Sequence, residues 1–302
     1  MIEDYTFFPQ IVFRSPIQNK DGFEEVNFED NKKFSESLYI ANPLLHNELS
    51  REKESYKKEK IQNTLHKYKI RLCNRCTPFG LFAGIGVANW GDFSSIQLVG
   101  SIERVTKLDM NILCELTSLV SNQVEIIPHL KFYFNNSAYE IAGQLRYVEV
   151  IYKNNNRSYQ ISAIDFNPYL KKLQIILRNG EYIDKIVSQL TDETVSKDEA
   201  LKYVDELIQS QVLVSEIEPF VTGKDYLSEL IEQLKIINLR ANNLNLMVII
   251  NYLIDINLTL KKIDSNKINE ISIYEKLKAN LKKLNLPLNQ NDIFQTDFSH
   301  NI

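Results

Sequence analysis

The chain changes character between Arg71 and Gly84, where it reads RLCNRCTPFGLFAG. The charged residues before this stretch, 48–69, include neither glycine nor proline, which indicates a long helix. Pro78 disfavours helical backbone at Thr77, so the helix is predicted to end there. The small and apolar residues that follow predict a turn into a buried strand. The stretch therefore marks the passage from a helix into a sheet.

Local patterns extend this assignment in both directions. Residues 5–14 are aromatic and β-branched and predict a strand that ends at Ser15-Pro16. Residues 31–76 are predicted to be helical, and residues 95–108 to form strands. Asp109 directly precedes apolar residues at helical spacing, which makes it a candidate N-cap.

The middle of the chain changes from strand to helix and back. Residues 131–177 favour strands, with a hairpin turn predicted at 154–156. Residues 169–213 have helical periodicity, divided at Gly180, and residues 211–217 predict a strand. Helix, short turn, helix and β wing in this order indicate a winged helix-turn-helix. The remaining predicted elements are helices at 224–237, 241–262 and 271–284 and a strand at 292–298.

These elements predict an α+β fold, in which mixed sheets and helices accompany an embedded winged helix-turn-helix. We expect three parts along the chain. The first is a mixed segment at 1–139, the second is the winged-helix element at 140–221, and the third is a mainly helical segment at 222–302.

Composition argues against several functional classes. The 302 residues carry a formal net charge of −4, so the chain lacks the overall basic excess of most nucleic-acid-binding proteins. Its three cysteines, an odd number, argue against a disulfide framework and favour a reducing compartment. No secretory signal is recognisable, and the longest aliphatic run, 246–250, is far too short for a membrane span. We therefore expect a cytoplasmic protein without a membrane span.

A local positive stripe interrupts this acidic background. Arg71 and Arg75 are four residues apart and share one helix face, where their guanidinium groups suit phosphate or carboxylate. Lys67 and Lys69 extend the stripe and are candidate contacts for a nucleic-acid backbone. Charged helix faces are more often simply solvated, and arginine pairs often bridge to acidic side chains. Spacing alone therefore does not establish a site.

The residues between Arg71 and Gly84 resemble the signature Arg-x-x-x-Arg-x-Thr-Pro-Phe-Gly-Leu-Phe-Ala-Gly of the N-terminal, glutamylating domain of class I lantibiotic (lanthipeptide) dehydratases. Three further segments follow in the order of that family. They are Phe13-Arg14-Ser15-Pro16, Lys107-Leu108-Asp109-Met110 and Phe294-Gln295-Thr296-Asp297. The resemblance thus spans essentially the whole chain.

The resemblance implies an enzyme that transfers glutamate from glutamyl-tRNA to Ser and Thr of a ribosomally made precursor peptide, before elimination to dehydroamino acids. The positions that match residues needed for glutamylation are Arg71, Arg75, Thr77, Asp109 and Asp297, together with Arg14 in a less defined role. Under this hypothesis, Lys67 and Lys69 are the residues expected to contact the tRNA. The glutamyl-tRNA is a co-substrate, and we expect no bound cofactor and no metal.

The resemblance also assigns precursor-leader binding to the winged-helix element. A leader of this kind adds as a strand beside the wing and packs on the last helix. The candidate peptide-binding residues are Tyr203, Leu207, Leu213 and Val214. Leu207 fits a plain core position equally well. DNA binding is disfavoured because acidic residues outnumber Lys202 on the last helix, 198–211.

Members of the family are about three times longer than this chain or more, so the resemblance implies that the rest of the enzyme lies elsewhere and that 222–302 is cut short. The expected partners are the leader and core of the precursor, glutamyl-tRNA, a C-terminal dehydratase polypeptide, a cyclase and a transporter, and a second copy in a homodimer. Two alternatives stay open. One is a peptide aminoacyl-tRNA ligase, and the other is a non-catalytic protein that only captures a leader peptide.

A Cys-x-x-Cys pair, Cys73 and Cys76, stands alone at the end of the predicted helix. A structural zinc site would need a second pair at a suitable spacing, and a thioredoxin-like site would place the pair at the start of a helix. The four histidines show no ligand spacing. Metal and redox chemistry are therefore disfavoured.

Overall fold

The computed structural model describes residues 6–18, 31–49, 55–77, 80–93, 102–153, 156–220, 222–223, 225–284 and 293–300. The strands are β1 Gln10–Pro16, β2 Ala83–Asn89, β3 Ile102–Leu108, β4 Lys131–Phe134, β5 Tyr139–Ile141, β6 Gln144–Lys153, β7 Asn156–Asp165, β8 Glu181–Tyr182, β9 Leu213–Ser215 and β10 Phe294–His300. The helices are α1 Lys32–Ala41, α2 Pro43–Leu49, α3 Ser55–Asn74, α4 Met110–Ser121, α5 Pro168–Ile176, α6 Ile183–Leu190, α7 Lys197–Gln209, α8 Tyr226–Ala241, α9 Leu244–Ser265 and α10 Ile271–Lys282.

Contacts divide the chain into two units. The first comprises Met1–Asp109, Asp255–Lys283 and Leu288–Ile302, and the second comprises Met110–Ile254 and Leu284–Pro287. The predicted α+β character is confirmed, because both units combine helices with sheets. The division into 1–139, 140–221 and 222–302 and the winged-helix assignment stay predictions.

The first unit is built around a four-stranded sheet with the order β1-β2-β10-β3. β1 and β2 are antiparallel, β10 runs parallel to β2, and β10 is antiparallel to β3. The predicted start of the first strand was wrong, because β1 begins at Gln10, but its predicted end at Ser15-Pro16 is confirmed. Proline is tolerated there because β1 lies at the edge of the sheet, where a missing backbone N–H removes no essential ladder bond.

The predicted helix at 31–76 is interrupted, because α1 ends at Ala41 and α2 begins at Pro43. Asn42 between them adopts φ −156° and ψ 81°, which lies outside the helical region that a following proline disfavours. The Asn42 side chain then accepts a hydrogen bond from Leu45 N at 2.9 Å. Pro43 therefore divides the predicted helix, which the pattern of charged and apolar residues did not indicate.

The core beside α3 fixes the end of that helix. Leu65, Leu72 and Cys73 of α3 are buried together with Phe34 and Phe82. Burying an aliphatic or aromatic side chain of this size stabilises a fold by about 1.5–3 kcal/mol. Because Leu72 and Cys73 point into this core, Arg71 and Arg75 on either side of them lie at the edge of the core.

The second unit contains two three-stranded sheets, ordered β8-β4-β9 and β5-β6-β7. The hairpin predicted around 154–156 has antiparallel partners Lys153 and Asn156, while residues 154–155 themselves lie outside the described residues. A capping box starts α7, because Ser196 Oγ accepts from Glu199 N and Glu199 accepts from Ser196 N at 2.9 Å. Local signals of this kind account for the helix starts.

Gly180 closes the turn between α5 and β8 with φ +69°, a left-handed backbone that side chains rarely adopt. A Cβ atom at this position would lie 2.5 Å from Cζ of Tyr133. The left-handed backbone of Gly180 ends the helical segment before it, and the close approach of Tyr133 leaves no room for a side chain at this position. Among the described helices, none is long and apolar enough to cross a membrane.

Candidate functional site

The four-stranded sheet of the first unit has one face on which the side chains are accessible, and we call it the open face. Side chains alternate between the faces of a strand, and residues paired across strands share a face. Burial alternates accordingly along β3, where Arg104, Thr106 and Leu108 are buried and the residues between them are exposed. The open face is formed by Val12, Arg14, Ile85, Val87, Glu103, Val105, Lys107, Gln295, Asp297 and Ser299.

Arg14 and Asp297, two of the predicted site residues, both lie on the open face. Arg14 pairs with Ile85, and Ile85 pairs with Ser299, two residues beyond Asp297. Neighbouring strands are about 4.8 Å apart and the rise is about 3.4 Å per residue, so the two Cα atoms are separated by roughly 10 Å across the sheet and 7 Å along it. A ligand of the size of an amino acid can lie between their side chains.

Asp109 is joined to the same strand as Asp297. Its carboxylate Oδ2 accepts a hydrogen bond from Gln295 Nε2 at 3.0 Å, and its backbone N donates to Ile293 O at 3.0 Å. Asp109 is buried, and it directly precedes α4 as the sequence predicted. Its role as an N-cap stays a prediction. Gln295 thus joins Asp109 to β10, the strand that carries Asp297.

The pKa of the Asp297 carboxyl group is raised. Asp297 is exposed as a residue, but partial burial of its carboxyl group raises the pKa of that group above the ordinary value. A raised pKa makes this carboxylate a better proton acceptor than a fully solvated aspartate.

Arg71, Arg75 and Thr77 lie at the end of α3. Arg71 is half-buried, whereas Arg75 and Thr77 are exposed. Two backbone hydrogen bonds hold β1 beside this helix end and the start of β2, from Gln18 N to Leu72 O and from Ile17 N to Phe82 O, both 3.2 Å long. The strand that carries Arg14 therefore continues directly to the helix end that carries Arg71.

The remaining predicted residues of α3 show mixed exposure. Lys67 is exposed, and Lys69 is half-buried. Pro78 and Phe79 of the signature stretch lie outside the described residues. Gly80 follows with φ +55°, as a turn before β2 requires.

In the second unit, the predicted peptide-binding residues divide by burial. Leu207 of α7 and Leu213 of β9 are buried, which is the pattern of core residues. Tyr203 and Val214 are half-buried, and the Tyr203 hydroxyl accepts from Asn167 Nδ2 at 3.2 Å. Burial raises the pKa of Tyr203, so the phenol stays neutral.

β9 has an open edge. Asn135 N donates to Val212 O and Glu216 N donates to Lys131 O, both at 2.8 Å, on either side of β9, and Val214 between them lies opposite Tyr133. Residues 212, 214 and 216 therefore direct their backbone groups toward β4. The intervening residues, Leu213 and Ser215, direct their backbone groups to the opposite side. Among the described residues no other strand pairs on that side, although Ser215 O accepts from Glu218 N at 3.0 Å.

The described residues include no group of three or more His, Cys, Asp or Glu side chains arranged to hold a metal ion. The cysteines at 73, 76 and 114 are free thiols, and Cys73 is buried while Cys76 is exposed. Burial raises the pKa of Cys73, which disfavours the reactive thiolate.

Sequence comparison assigns the family. Residues 30–301 match the family described as "Lantibiotic dehydratase, N terminus". The chain belongs to this family. It is 26% identical over 181 residues to the subtilin biosynthesis protein SpaB of Bacillus subtilis, a match that covers 59% of this chain and 17% of SpaB. It is also 26% identical over 212 residues to the nisin biosynthesis protein NisB of Lactococcus lactis subsp. lactis, covering 66% of this chain and 20% of NisB.

Solved structures with this fold include a lantibiotic dehydratase and a glutamylation domain. The tRNA-dependent lantibiotic dehydratase MibB from Microbispora sp. 107891 matches with a TM-score of 0.73 and 13% identity, covering 97% of this chain and 29% of MibB. The glutamylation domain of TbtB from thiomuracin biosynthesis, bound to 5'-phosphodesmethylglutamycin, matches with a TM-score of 0.57 and 14% identity, covering 93% of this chain and 34% of that one. The chain spans about a fifth of the length of the curated relatives that it matches.

This lantibiotic dehydratase N terminus also contains a buried polar cluster that the sequence analysis missed. Arg104 of β3 donates to Glu36 of α1 at 2.6 and 3.3 Å, and Tyr274 donates to the same carboxylate at 2.6 Å. Asn269 Nδ2 adds a fourth hydrogen bond to Glu36 at 3.2 Å. Arg104 also lies over the Phe298 ring at 5.4 Å, so the cluster holds β10 against β3 from the inner side of the sheet. No local pattern marks these residues, because they come from four distant segments.

Gln295 was visible in the family motif but received no role from the sequence. We expect Gln295→Ala to lower the free energy of unfolding by about 1.5–3 kcal/mol, because it removes one hydrogen bond to the charged carboxylate of the buried Asp109. Urea denaturation measures the change, with Gln295→Glu as a second variant that keeps the length but repels Asp109. Wild-type stability in both variants would show that Gln295 does not hold Asp109.

Proposed function

We propose that this chain is the part of a lantibiotic dehydratase that transfers glutamate from glutamyl-tRNA to Ser and Thr hydroxyl groups of a precursor peptide in the cytoplasm. The observation that carries the proposal is the open face, where Arg14 and Asp297 lie together and Gln295 joins Asp109 to the same strand. The family motifs predicted a role in glutamylation for Asp109 and Asp297, and a less defined role for Arg14. The similarity to tRNA-dependent dehydratases and to a glutamylation domain supports the same reaction.

The proposed transfer is an ester exchange. The Ser or Thr oxygen attacks the carbonyl carbon that joins glutamate to the tRNA, and a tetrahedral oxyanion forms. The bond to the ribose oxygen then breaks, and the proton of the attacking hydroxyl passes to that leaving oxygen. Guanidinium groups stabilise an oxyanion of this kind when they are held in place before the reaction. Arg71 and Arg75 are our candidates for this role or for holding phosphates at the tRNA 3′ end.

Asp109 and Asp297 supply the carboxylates of the proposed site. They would orient arginine side chains, hold the α-amino group of the glutamate, or assist proton transfer. Thr77 adds a hydroxyl next to the arginines. Lys67, which is exposed, and Lys69 are proposed contacts for the tRNA backbone. Elimination of the glutamate is assigned to a C-terminal dehydratase polypeptide, and a cyclase, a transporter and a second copy of the chain are further proposed partners.

We propose that residues 140–221 bind the precursor leader as a winged-helix element. The order α5, α6, α7 and β9, with β9 paired to β4, supports this assignment. The open edge of β9 offers backbone groups to an added strand, and Tyr203 and Val214 are the candidate side-chain contacts that solvent reaches. Because Leu207 and Leu213 are buried, we propose that they support the binding surface from beneath.

We expect Ser215→Pro to weaken leader binding about threefold to tenfold, because it removes an outward N–H and one backbone hydrogen bond contributes about 0.5–1.5 kcal/mol. Bonds from β9 to β4 remain, since Ser215 faces away from β4. The measurement is the dissociation constant of a fluorescent leader peptide by anisotropy. Ser215→Ala is the matched control because it keeps the N–H. Equal affinities for the proline and alanine variants would rule out strand addition at this edge.

A mass-spectrometric assay tests the transferase proposal. This chain is incubated with the precursor peptide, ATP, glutamate, glutamyl-tRNA synthetase and tRNA, alone and with the C-terminal dehydratase polypeptide. We expect glutamate adducts that depend on tRNA, and loss of water from the precursor when the second polypeptide is present. Leader binding without adducts under both conditions would instead favour a peptide-capture protein.

A further inference from the structure

Lys107 is a cation of the open face that has no partner in the part of the chain that the structure describes. Lys107 of β3 is exposed and pairs in register with Gln295, whose amide donates to Asp109. Its ammonium group makes no hydrogen bond or ion pair with the described residues. A long cationic side chain therefore extends beside the carboxylates of the proposed site without being neutralised by them.

Lys107 and Asp297 are diagonal neighbours across two paired strands. Lys107 is opposite Gln295, and Asp297 is two residues further along β10 on the same face. Diagonal neighbours of this kind have Cα atoms about 7–8 Å apart, within the reach of long side chains. The two opposite charges nevertheless do not form an ion pair. Their side chains thus present a positive and a negative group next to each other on an accessible surface.

The substrate of the proposed transfer has a matching charge distribution. A glutamyl ester carries an ammonium group on its α carbon and a carboxylate at the end of its side chain, and the reacting ester carbonyl is uncharged. We propose that Lys107 binds the side-chain carboxylate of the glutamyl group while Asp297 binds its α-ammonium group. This inference rests on the proposed function and assigns Lys107 as the residue that selects glutamate.

Other charges on the open face fit this assignment. Glu103 is four residues from Lys107 on β3 and pairs with Ser299, so it lies further from Gln295 than Lys107 does. Its negative charge would repel the substrate carboxylate, so that carboxylate is not expected to bind near Glu103. Arg14 is two strands away from Asp297 and remains available for the ester or a phosphate. Lys107 is therefore the cation of β3 and β10 on this face that can receive the substrate carboxylate.

Selection follows from charge. A glutaminyl ester has the same shape as a glutamyl ester but ends in a neutral amide, which gives Lys107 a weaker, uncharged acceptor. Hydrogen bonds between charged groups are about twice as strong as neutral ones, so the site should favour the glutamyl ester. Neutralising Lys107 should remove most of that preference.

The experiment compares glutamyl-tRNA and glutaminyl-tRNA, prepared on the same tRNA, as donors for the full-length protein. For Lys107→Gln we expect KM for glutamyl-tRNA to rise about tenfold to a hundredfold with a smaller change in kcat. We also expect the preference for glutamyl over glutaminyl donor to fall by a similar factor. Lys107→Arg should retain most of the preference because it keeps the positive charge.

Lys276→Gln is the matched control, since Lys276 is an exposed lysine of α10 in the same unit and makes no ion pair with the described residues. An unchanged donor preference and KM in Lys107→Gln, with an active wild type, would overturn the assignment of Lys107 alone. A wild type that transfers neither amino acid would overturn the proposed function and this inference with it. Circular dichroism of each variant confirms that the exposed substitution leaves the fold intact.

Discussion

Alanine in place of Arg75 is expected to slow glutamate transfer to the precursor by about 100- to 1,000-fold, which is the effect of removing one preorganised group that stabilises an oxyanion. Arg75 follows the last turn of α3, is exposed, and belongs to none of the core contacts of that helix. The loss should therefore appear in the rate and not in the folding of the chain. Single-turnover formation of the glutamate adduct, followed by mass spectrometry, is the appropriate measurement.

Two further variants define the cause of that loss. Arg75→Lys keeps the charge but not the planar, two-pronged donor, and we expect it to recover only a small part of the rate. Lys276→Ala removes an exposed cation from the same unit and should retain wild-type activity. A rate for Arg75→Ala within about threefold of the wild type would be too small for an oxyanion contact and would remove Arg75 from the proposed site.

Alanine in place of Glu36 is expected to lower the free energy of unfolding by about 3–5 kcal/mol, because it leaves the charge of Arg104 buried without its counter-ion. The side chains of Arg104 and Glu36 are only 2% and 1% exposed, so water cannot replace the lost partner. Urea denaturation followed by circular dichroism measures the change.

A double variant separates the cost of the unpaired charge from the loss of packing. Replacing a buried ion pair by apolar residues of similar volume is often neutral, so Glu36→Leu with Arg104→Met should recover much of the stability lost in Glu36→Ala. Glu270→Ala breaks an exposed ion pair with Lys32, in which both side chains are 74% exposed, and should leave the unfolding transition almost unchanged. If the double variant were less stable than Glu36→Ala, the unpaired charge would not be the cause.

The buried cluster and the open face are opposite sides of the same strands. Arg104 pairs in register with Phe298, which is the residue next to Asp297, and the Arg104 guanidinium also lies over the Phe298 ring. Disturbing the cluster should therefore affect activity through the position of β10 as well as through stability. Glu36 and Arg104 are in this sense structural supports of the proposed site and do not take part in its chemistry.

The sequence determined the elements whose signals are local. The helix ending near Thr77, the strand after the glycine-rich turn, the helix after Asp109 and the final strand were all predicted within a few residues. Local patterns failed where a single residue changes the backbone, as at Pro43, and at the start of the first strand, which begins only at Gln10. The family motifs, being contiguous, also identified the protein family before any contact was known.

Only the tertiary structure decided which of these residues meet. Gln295 and Asp109 are 186 residues apart in sequence, and they touch because β10 inserts between β2 and β3 with a defined register. A shift of one residue would turn Asp297 into the core, because side chains alternate between the two faces of a strand. Buried contacts between distant segments support that register, including Arg104 of β3 over the Phe298 ring of β10, and no short-range pattern predicts them. The sequence therefore determines which residue types the site contains, whereas the register of the folded sheet determines that they lie on one face.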